Sequence, residues 1–391
     1  MNRRSMKSVY FSILCLVLVS WQSVFAQKNS PEGNDSLLFQ GQLSAWGHYN
    51  ANNSYPFAIG GRYLPQLNYQ IELPKSRLID FEASANLYGD AGFKSFESVY
   101  TNGKIKPYRA WVRYSSHQFE IRVGLQKINF GSATLLRPLM WFDRIDARDP
   151  LRLTNGVYAA LARYYFLNNI NLWVWALYGN NHTKGWEIIK TNANYPELGG
   201  HFQWPVPKGE AALSFNHRIA DSRELNGEIP IYDKISENKI GFDTKLDLGF
   251  GCWFEGSWVS KNKDLGKFTN QEMINLGIDY TLGIGNGLNI NLEHLIASYD
   301  KHAFAFANAT NFTGLSANYP IGIIDNLQTI IYYDWSNKSL YSFVNWYRQY
   351  DAIRLYFMAY WNPVNYQINF PLKSGNLYAG KGIQIMIVFN H

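Results

Sequence analysis

The chain has 391 residues, of which 47% are hydrophobic, 16% aromatic and 17% charged, with a formal net charge of +6. Abundant aromatics and sparse charge exclude a disordered chain, and two cysteines exclude a disulfide scaffold or a cysteine-rich zinc module. Arg3, Arg4 and Lys7 carry part of the surplus near the start, and the weak, dispersed remainder excludes a nucleic-acid surface.

Those three basic residues precede an apolar run over residues 9–20, and Val24-Phe25-Ala26 follows with small or modest side chains at the cleavage positions. Residues 1–26 therefore read as a secretory signal peptide. The run is too short for a membrane helix, which needs about 20 apolar residues. Cys15 lies inside the run rather than after it, which argues against lipidation. Residues 27–36 are expected to form a short lead, and residues 37–391 a single domain whose only thiol is Cys252.

From residue 38 onward the pattern is alternation with period two. Phe39, Leu43 and Tyr49 alternate with Gln40, Gln42, Ser44 and His48; Tyr63, Leu67, Tyr69 and Ile71 alternate with Arg62, Gln66, Asn68 and Gln70. The same alternation recurs to the end of the chain, where Ile383, Ile385, Ile387 and Phe389 fall on one parity. The runs are longer than the roughly 5 or 6 residues of soluble strands and suit the roughly 9 to 11 that cross a bilayer. Aromatics such as Tyr49, Tyr88, Tyr280, Trp335 and Trp361 gather at strand ends, as membrane interfaces favour. In hydrocarbon an unpaired backbone group is costly, so the sheet must close. The expected fold is all-β: a closed antiparallel transmembrane β-barrel with short periplasmic turns and long extracellular loops. Short connections near residues 74–76, 116–117, 168–169, 205–209, 249–250, 283–287, 320–325 and 349–350 alternate with longer ones near 51–61, 89–104, 131–156, 179–195, 219–237, 261–271, 298–309, 336–338 and 362–381. That gives about 18 strands, or about 16 if the pair near residues 196–218 fails to form.

With apolar faces toward lipid, the other parity lines the lumen. One wall then carries Arg109, Arg113, Arg122 and Arg163, with Glu120 among them. The opposite wall carries Asp243, Asp247, Glu255, Asp279 and Glu293, with Lys245. Opposed walls of opposite sign create a transverse field that polar solutes cross; the alternative is that these charges pair with one another in a plugged lumen. The loop 131–156 sets Arg137, Asp143, Arg144, Asp146, Arg148 and Asp149 beside Leu139, Met140, Trp141 and Phe142. So apolar a segment is expected to fold inward as a constriction, with Asp143, Asp146 and Asp149 facing Arg109, Arg113 and Arg122. An external cap is the alternative.

The segment Gly124-Leu125-Gln126-Lys127-Ile128-Asn129-Phe130-Gly131, followed by Asp149-Pro150-Leu151, resembles porin-like outer-membrane proteins of Gram-negative bacteria. In these a strand of the form G-x-Q-x-I-x-[FW]-G leads into a loop that ends in an acidic-Pro-Leu turn. Elsewhere the likeness is in strand layout alone. The resemblance implies a trimeric or monomeric diffusion channel in the outer membrane, with membrane lipids and small polar solutes as partners. Such barrels often end on an aromatic residue, whereas here Asn390-His391 follows Phe389.

Enzyme readings find little support. His217 lies near Ser222, a pair that could activate a nucleophile, but no third orienting group can be assigned. Glu293 and His294 point to opposite faces of one strand. Gly283, Gly285 and Gly287 mimic a phosphate loop without the following helix or Lys-Ser/Thr. No zinc or EF-hand spacing is present, and no cofactor is expected. The expected function is passive diffusion of small polar or charged solutes. One alternative is a barrel that binds or exports a surface polysaccharide, with inward Trp46, Trp111 and Trp253 as a sugar track. The other is a barrel-embedded hydrolase.

Overall fold

A computed structural model describes residues 35–94, 99–224, 229–364 and 378–391. The expected signal peptide, most of the expected lead and parts of three long loops lie outside the described residues.

The alternating segments form β1 (Asp35–Asn50), β2 (Phe57–Leu73), β3 (Arg77–Phe93), β4 (Val99–Ser115), β5 (Phe119–Gln126), β6 (Val157–Tyr165), β7 (Asn171–Leu177), β8 (Lys190–Thr191), β9 (Glu197–Val206) and β10 (Gly209–Asp221). They continue as β11 (Ile235–Asp247), β12 (Gly251–Lys261), β13 (Asn270–Leu282), β14 (Leu288–Asp300), β15 (Thr310–Pro320), β16 (Asp325–Asp334), β17 (Ser339–Gln349), β18 (Ile353–Trp361) and β19 (Lys381–Asn390). The two-residue β8 pairs with the end of β10, and the other eighteen strands form the wall. Each wall strand pairs antiparallel with its neighbours, and β1 pairs with both β2 and β19, so the sheet has closed on itself. The sixteen-strand alternative is not realised, because β9 and β10 pair continuously from Val206 and Gly209 to Leu198 and His217.

Several boundaries differ from the sequence reading: β2 begins at Phe57, inside the expected loop 51–61, and β5 ends at Gln126, before the expected loop 131–156. β1 begins at Asp35, inside the expected lead. The expected loop 89–104 is mostly strand, because β3 runs on to Phe93 and β4 starts at Val99. There Gly89 pairs with Gly103, and Asn102 donates its side-chain amide to Asp90 at 3.2 Å. Turn-forming residues sit inside a hairpin that its cross-strand partners hold extended.

Side-chain parity is inside-out relative to a soluble sheet. On β19, Ile383, Ile385, Ile387 and Phe389 are 37–52% exposed, whereas Gln384, Met386 and Val388 between them are 6% exposed or less. The outward row is apolar along its length, as a lipid-facing surface requires.

The barrel interior is partly filled. Ile128, Phe130, Leu139, Trp141 and Phe142, all after the end of β5, pack on Leu161, Trp175 and Leu177 of β6 and β7. Leu136 packs on Met273, Leu295, Ile330, Phe343 and Met358, which project inward from the far wall. Each such Leu, Ile or Phe gains about 1.5–3 kcal/mol from leaving water. Residues 127–156 therefore lie inside the barrel.

Candidate functional site

Three acids of β11, β12 and β14 hold the inward loop. Glu255 accepts the backbone N–H of Ala133 at 2.9 Å and of Leu139 at 2.5 Å. Glu293 accepts those of Thr134 at 2.7 Å, Leu135 at 3.1 Å and Leu136 at 2.6 Å. Ser132 donates its hydroxyl to Asp243 at 3.2 Å. Gly131 allows this approach: its φ is +95°, and a Cβ there would lie 2.6 Å from Glu255 Oε2. The sequence reading put Glu255, Glu293 and Asp243 on a wall facing the solute. Glu255 and Glu293 are fully buried and Asp243 nearly so, because loop amides and a hydroxyl take up their oxygens. They are anchors rather than lining, and the expected transverse field loses its acidic side.

Arg109, Arg113, Arg122 and Arg163 lie near one another on β4, β5 and β6. Arg113 forms a fork with Asp80, at 2.9 and 2.7 Å. Glu120 receives Arg122 at 3.1 Å, Arg163 at 3.4 Å and Arg113 at 3.5 Å. The guanidiniums also stack on aromatic faces, Arg122 at 4.6 Å from the Trp111 ring centre and Arg163 at 4.0 Å from that of Trp173. Nearer the extracellular end, Arg109 lies over Tyr108 and donates to the Thr154 carbonyl at 3.0 Å, and Arg62 lies between Trp46 and Tyr88. On inward parity these strands carry the five guanidiniums with Lys104 and Lys106, and against these seven cations stand five carboxylates: Asp80, Glu82 and Glu120 among the arginines, and Glu72 and Asp90 toward the strand ends. Guanidiniums stay protonated at any working pH, so the wall is positive. A recess of about 340 Å³ lined by Gln40, Gln42, Gln66, Ser84 and Tyr108 borders it, between the wall and Leu151 and Leu153 of the loop.

The loop charges do not face this wall as expected. Asp143 pairs with Arg137 at 3.5 Å and accepts from Asn129. Asp146 pairs with Arg148 at 2.8 Å. Arg144 ties the loop to the next one through the Gly185 carbonyl at 3.1 Å and Thr183 at 2.9 Å. Asp149 accepts the amides of Leu151 and Leu153, both at 3.0 Å; burial raises its pKa against the pull of these amides and of Arg62. Asp143 and Asp146 are thus answered within the loop, Asp149 alone feels the wall, through Arg62, and it is the Thr154 carbonyl that meets Arg109.

Asp247 and Asp279 sit at the periplasmic mouth. With Lys208, Glu210, Lys245 and Thr281 they line an open recess of about 760 Å³ of mixed sign. Trp253 is buried against Gly277, so it offers no face to a sugar. His217 contacts Asn238 at 2.8 Å while Ser222 donates to the Pro230 carbonyl at 2.8 Å. The Ser–His pair considered from sequence is not formed. Among the described residues no group of three His, Cys, Asp or Glu side chains could hold a metal ion.

One cluster escaped the sequence reading. Glu187, in the loop 178–196, meets Lys239 at 2.7 Å, Arg218 at 3.2 Å and Lys184 at 3.3 Å. Glu237 receives Arg218 at 2.6 Å, and Glu197 receives Lys184 at 2.6 Å. Burial raises the Glu187 pKa, but Arg218, Lys184 and Lys239 outweigh it and hold the carboxyl down at about 2. Arg218, Glu237, Lys239 and Lys261 fall on inward parity, which is the signal in the sequence; that the loop supplies Glu187 and Lys184 is not.

The architecture is that of outer-membrane porins. The chain is similar to OccAB1 of Acinetobacter baumannii, with a TM-score of 0.54 and 7% identity over 93% of this chain and 98% of that one. OccK7 (OpdD) of Pseudomonas aeruginosa gives 0.53 and 9% over 92% and 99%. OccAB4 of Acinetobacter baumannii gives 0.52 and 10% over 92% and 98%. At these identities the likeness is one of fold. No family model matches the chain, and no curated protein matches it.

Proposed function

We propose that the chain is an outer-membrane channel for passive diffusion of small polar solutes, and that it favours those with an anionic group. The observation that carries this reading is the wall of Arg62, Arg113, Arg122 and Arg163, with Arg109 buried behind it against the Thr154 carbonyl, left positive because the opposing Glu255 and Glu293 are occupied by the loop. An anion about 6 Å from one guanidinium gains about 3 kcal/mol at an effective dielectric near 20. Asp80 and Glu120 offset part of that gain and keep the wall from becoming a trap. The inward loop narrows the route, covers β6 and β7 around Leu161, Trp175 and Leu177, and leaves the polar side of β1–β5 with Arg163 of β6 for the solute. A sugar track loses support, since Trp253 is buried and Trp46 and Trp111 are covered by guanidiniums. The test is osmotic swelling of liposomes carrying the purified protein, with a neutral and an anionic solute of matched size. The expected result is faster entry of the anion. Entry of neither would leave a plugged barrel.

A further inference from the structure

Among the described residues, β4 has a strand partner on one side only over most of its length. Its residues 99–109 pair with β3, from Val99 opposite Phe93 to Arg109 opposite Ser84. β5 pairs with β4 only from Ser115 opposite Glu120 to Ala110 opposite Leu125, and ends at Gln126, where the chain turns into the lumen. Among the described residues no other backbone pairs with this edge. Residues 99–105 are all exposed. The edge lies at the extracellular end of strands longer than a crossing needs. β2, β3 and β4 have 17 residues each, whereas about 9 to 11 tilted residues suffice to cross.

The two faces beside this edge differ in chemistry. Thr101, Gly103 and Ile105 fall on the outer face, opposite Ala91, Gly89 and Leu87. Lys104 and Lys106 fall on the inner face, opposite Tyr88 and Asn86. Ile105 is 68% exposed. Lys106 donates to the Asn155 side chain at 2.8 Å, and neither lysine forms an ion pair among the described residues. A bulge at Ser84 and Ala85, beside Pro107, marks the lower limit of the edge, since proline has no N–H to offer.

We propose that residues 99–106 are a docking edge for an extended segment of a second protein outside the cell, which joins the sheet as an added strand. The free N–H and C=O groups supply pairing that does not depend on sequence, and the two faces supply selectivity. Side chains of an added strand alternate between faces. The matching segment therefore alternates apolar residues, beside Thr101 and Ile105, with acidic residues, beside Lys104 and Lys106. A second copy of this chain fits poorly, because pairing the same edges brings lysines together.

The probe is a fluorescent peptide of alternating valine and glutamate, added to the full-length protein in detergent. In the free protein, alternate amides of residues 99–106 should exchange quickly with solvent, and the peptide should slow them. A valine–lysine peptide should bind about five-fold more weakly or worse, from two lost cross-strand charge pairs. The double variant K104E/K106E should reverse that preference while keeping its heat-modifiable migration, which shows that it folds. A fully N-methylated peptide should not bind. The proposal is overturned if those amides are already protected in the free protein, if Gly103→Cys yields a disulfide-linked dimer, or if the N-methylated peptide binds equally. Failure of the valine–glutamate peptide to bind overturns it as well.

Discussion

Leu139, in the loop inside the barrel, donates its backbone N–H to Glu255 of β12 at 2.5 Å. This bond and the amides gathered by Glu293 fasten the loop to the wall opposite its origin. Replacing Glu255 or Glu293 by Ala leaves two or three buried amides unmet, at about 1–3 kcal/mol for each group. Neither side chain belongs to the ladder that closes the barrel. Single-channel recording of Glu293→Ala should show higher and noisier current, with unchanged heat-modifiable migration. Unaltered conductance would mean that the loop does not set the width of the route.

Glu187 predicts an acid response. Its carboxyl is held at about 2 in the folded protein, below the roughly 4.3 of a free glutamate. A depressed carboxylate contributes stability that is present above the unfolded pKa and lost as pH falls through the folded one. The loop 178–196 should therefore stay fixed above about pH 4.3 and loosen as pH falls toward 2. Proteolysis of that loop by an acid-active protease, measured between pH 2 and pH 5, should follow this curve. Glu187→Gln should remove much of the pH dependence, and a loop equally resistant throughout would refute the assignment.

His391 closes the seam of the barrel. Its backbone exchanges two 3.0 Å hydrogen bonds with Gly41, and its ring lies 5.9 Å from that of Tyr63 and 6.0 Å from that of Phe389. A Cβ on Gly41 would lie 2.5 Å from the ring. The imidazole stacks beside the Tyr63 and Phe389 rings. His391→Ala should lower the temperature at which the barrel unfolds in SDS, reflecting about 0.5–1.5 kcal/mol of ring contact. His391→Phe should preserve it, and Gly41→Val should act like the alanine variant. Identical gel-shift temperatures in all three would assign the seam to backbone pairing alone.

The wall was legible because alternation is a local property: the rows on β1, β2 and β19 can be read two residues at a time, and turn residues mark their ends. The hairpin of β3 and β4 was harder, since Gly89, Asp90, Asn102 and Gly103 look like a loop until they are set opposite one another. The site was legible only by half. Parity placed Arg113, Arg122 and Arg163 inside, but it also placed Glu255 and Glu293 there with no sign that loop amides would occupy them. Which charges remain open to a solute depends on what else enters the lumen, and that is decided by contacts more than a hundred residues apart in sequence. The Glu187 cluster was missed because its loop partners, Glu187 and Lys184, carry no periodic pattern that points them at the inward row of Arg218, Glu237 and Lys239.

Polar anions are expected to pass along the arginine wall. The measurement that tests it most directly is the reversal potential of the purified protein in a planar bilayer under a salt gradient. It belongs at low ionic strength, because the Debye length is about 30 Å at 0.01 M and about 3 Å at 1 M. The predicted result is an open channel selective for anions, whose selectivity moves toward cations when Arg113, Arg122 and Arg163 are replaced by Gln. A folded protein that carries no current, or a cation preference that the three substitutions leave in place, would contradict it.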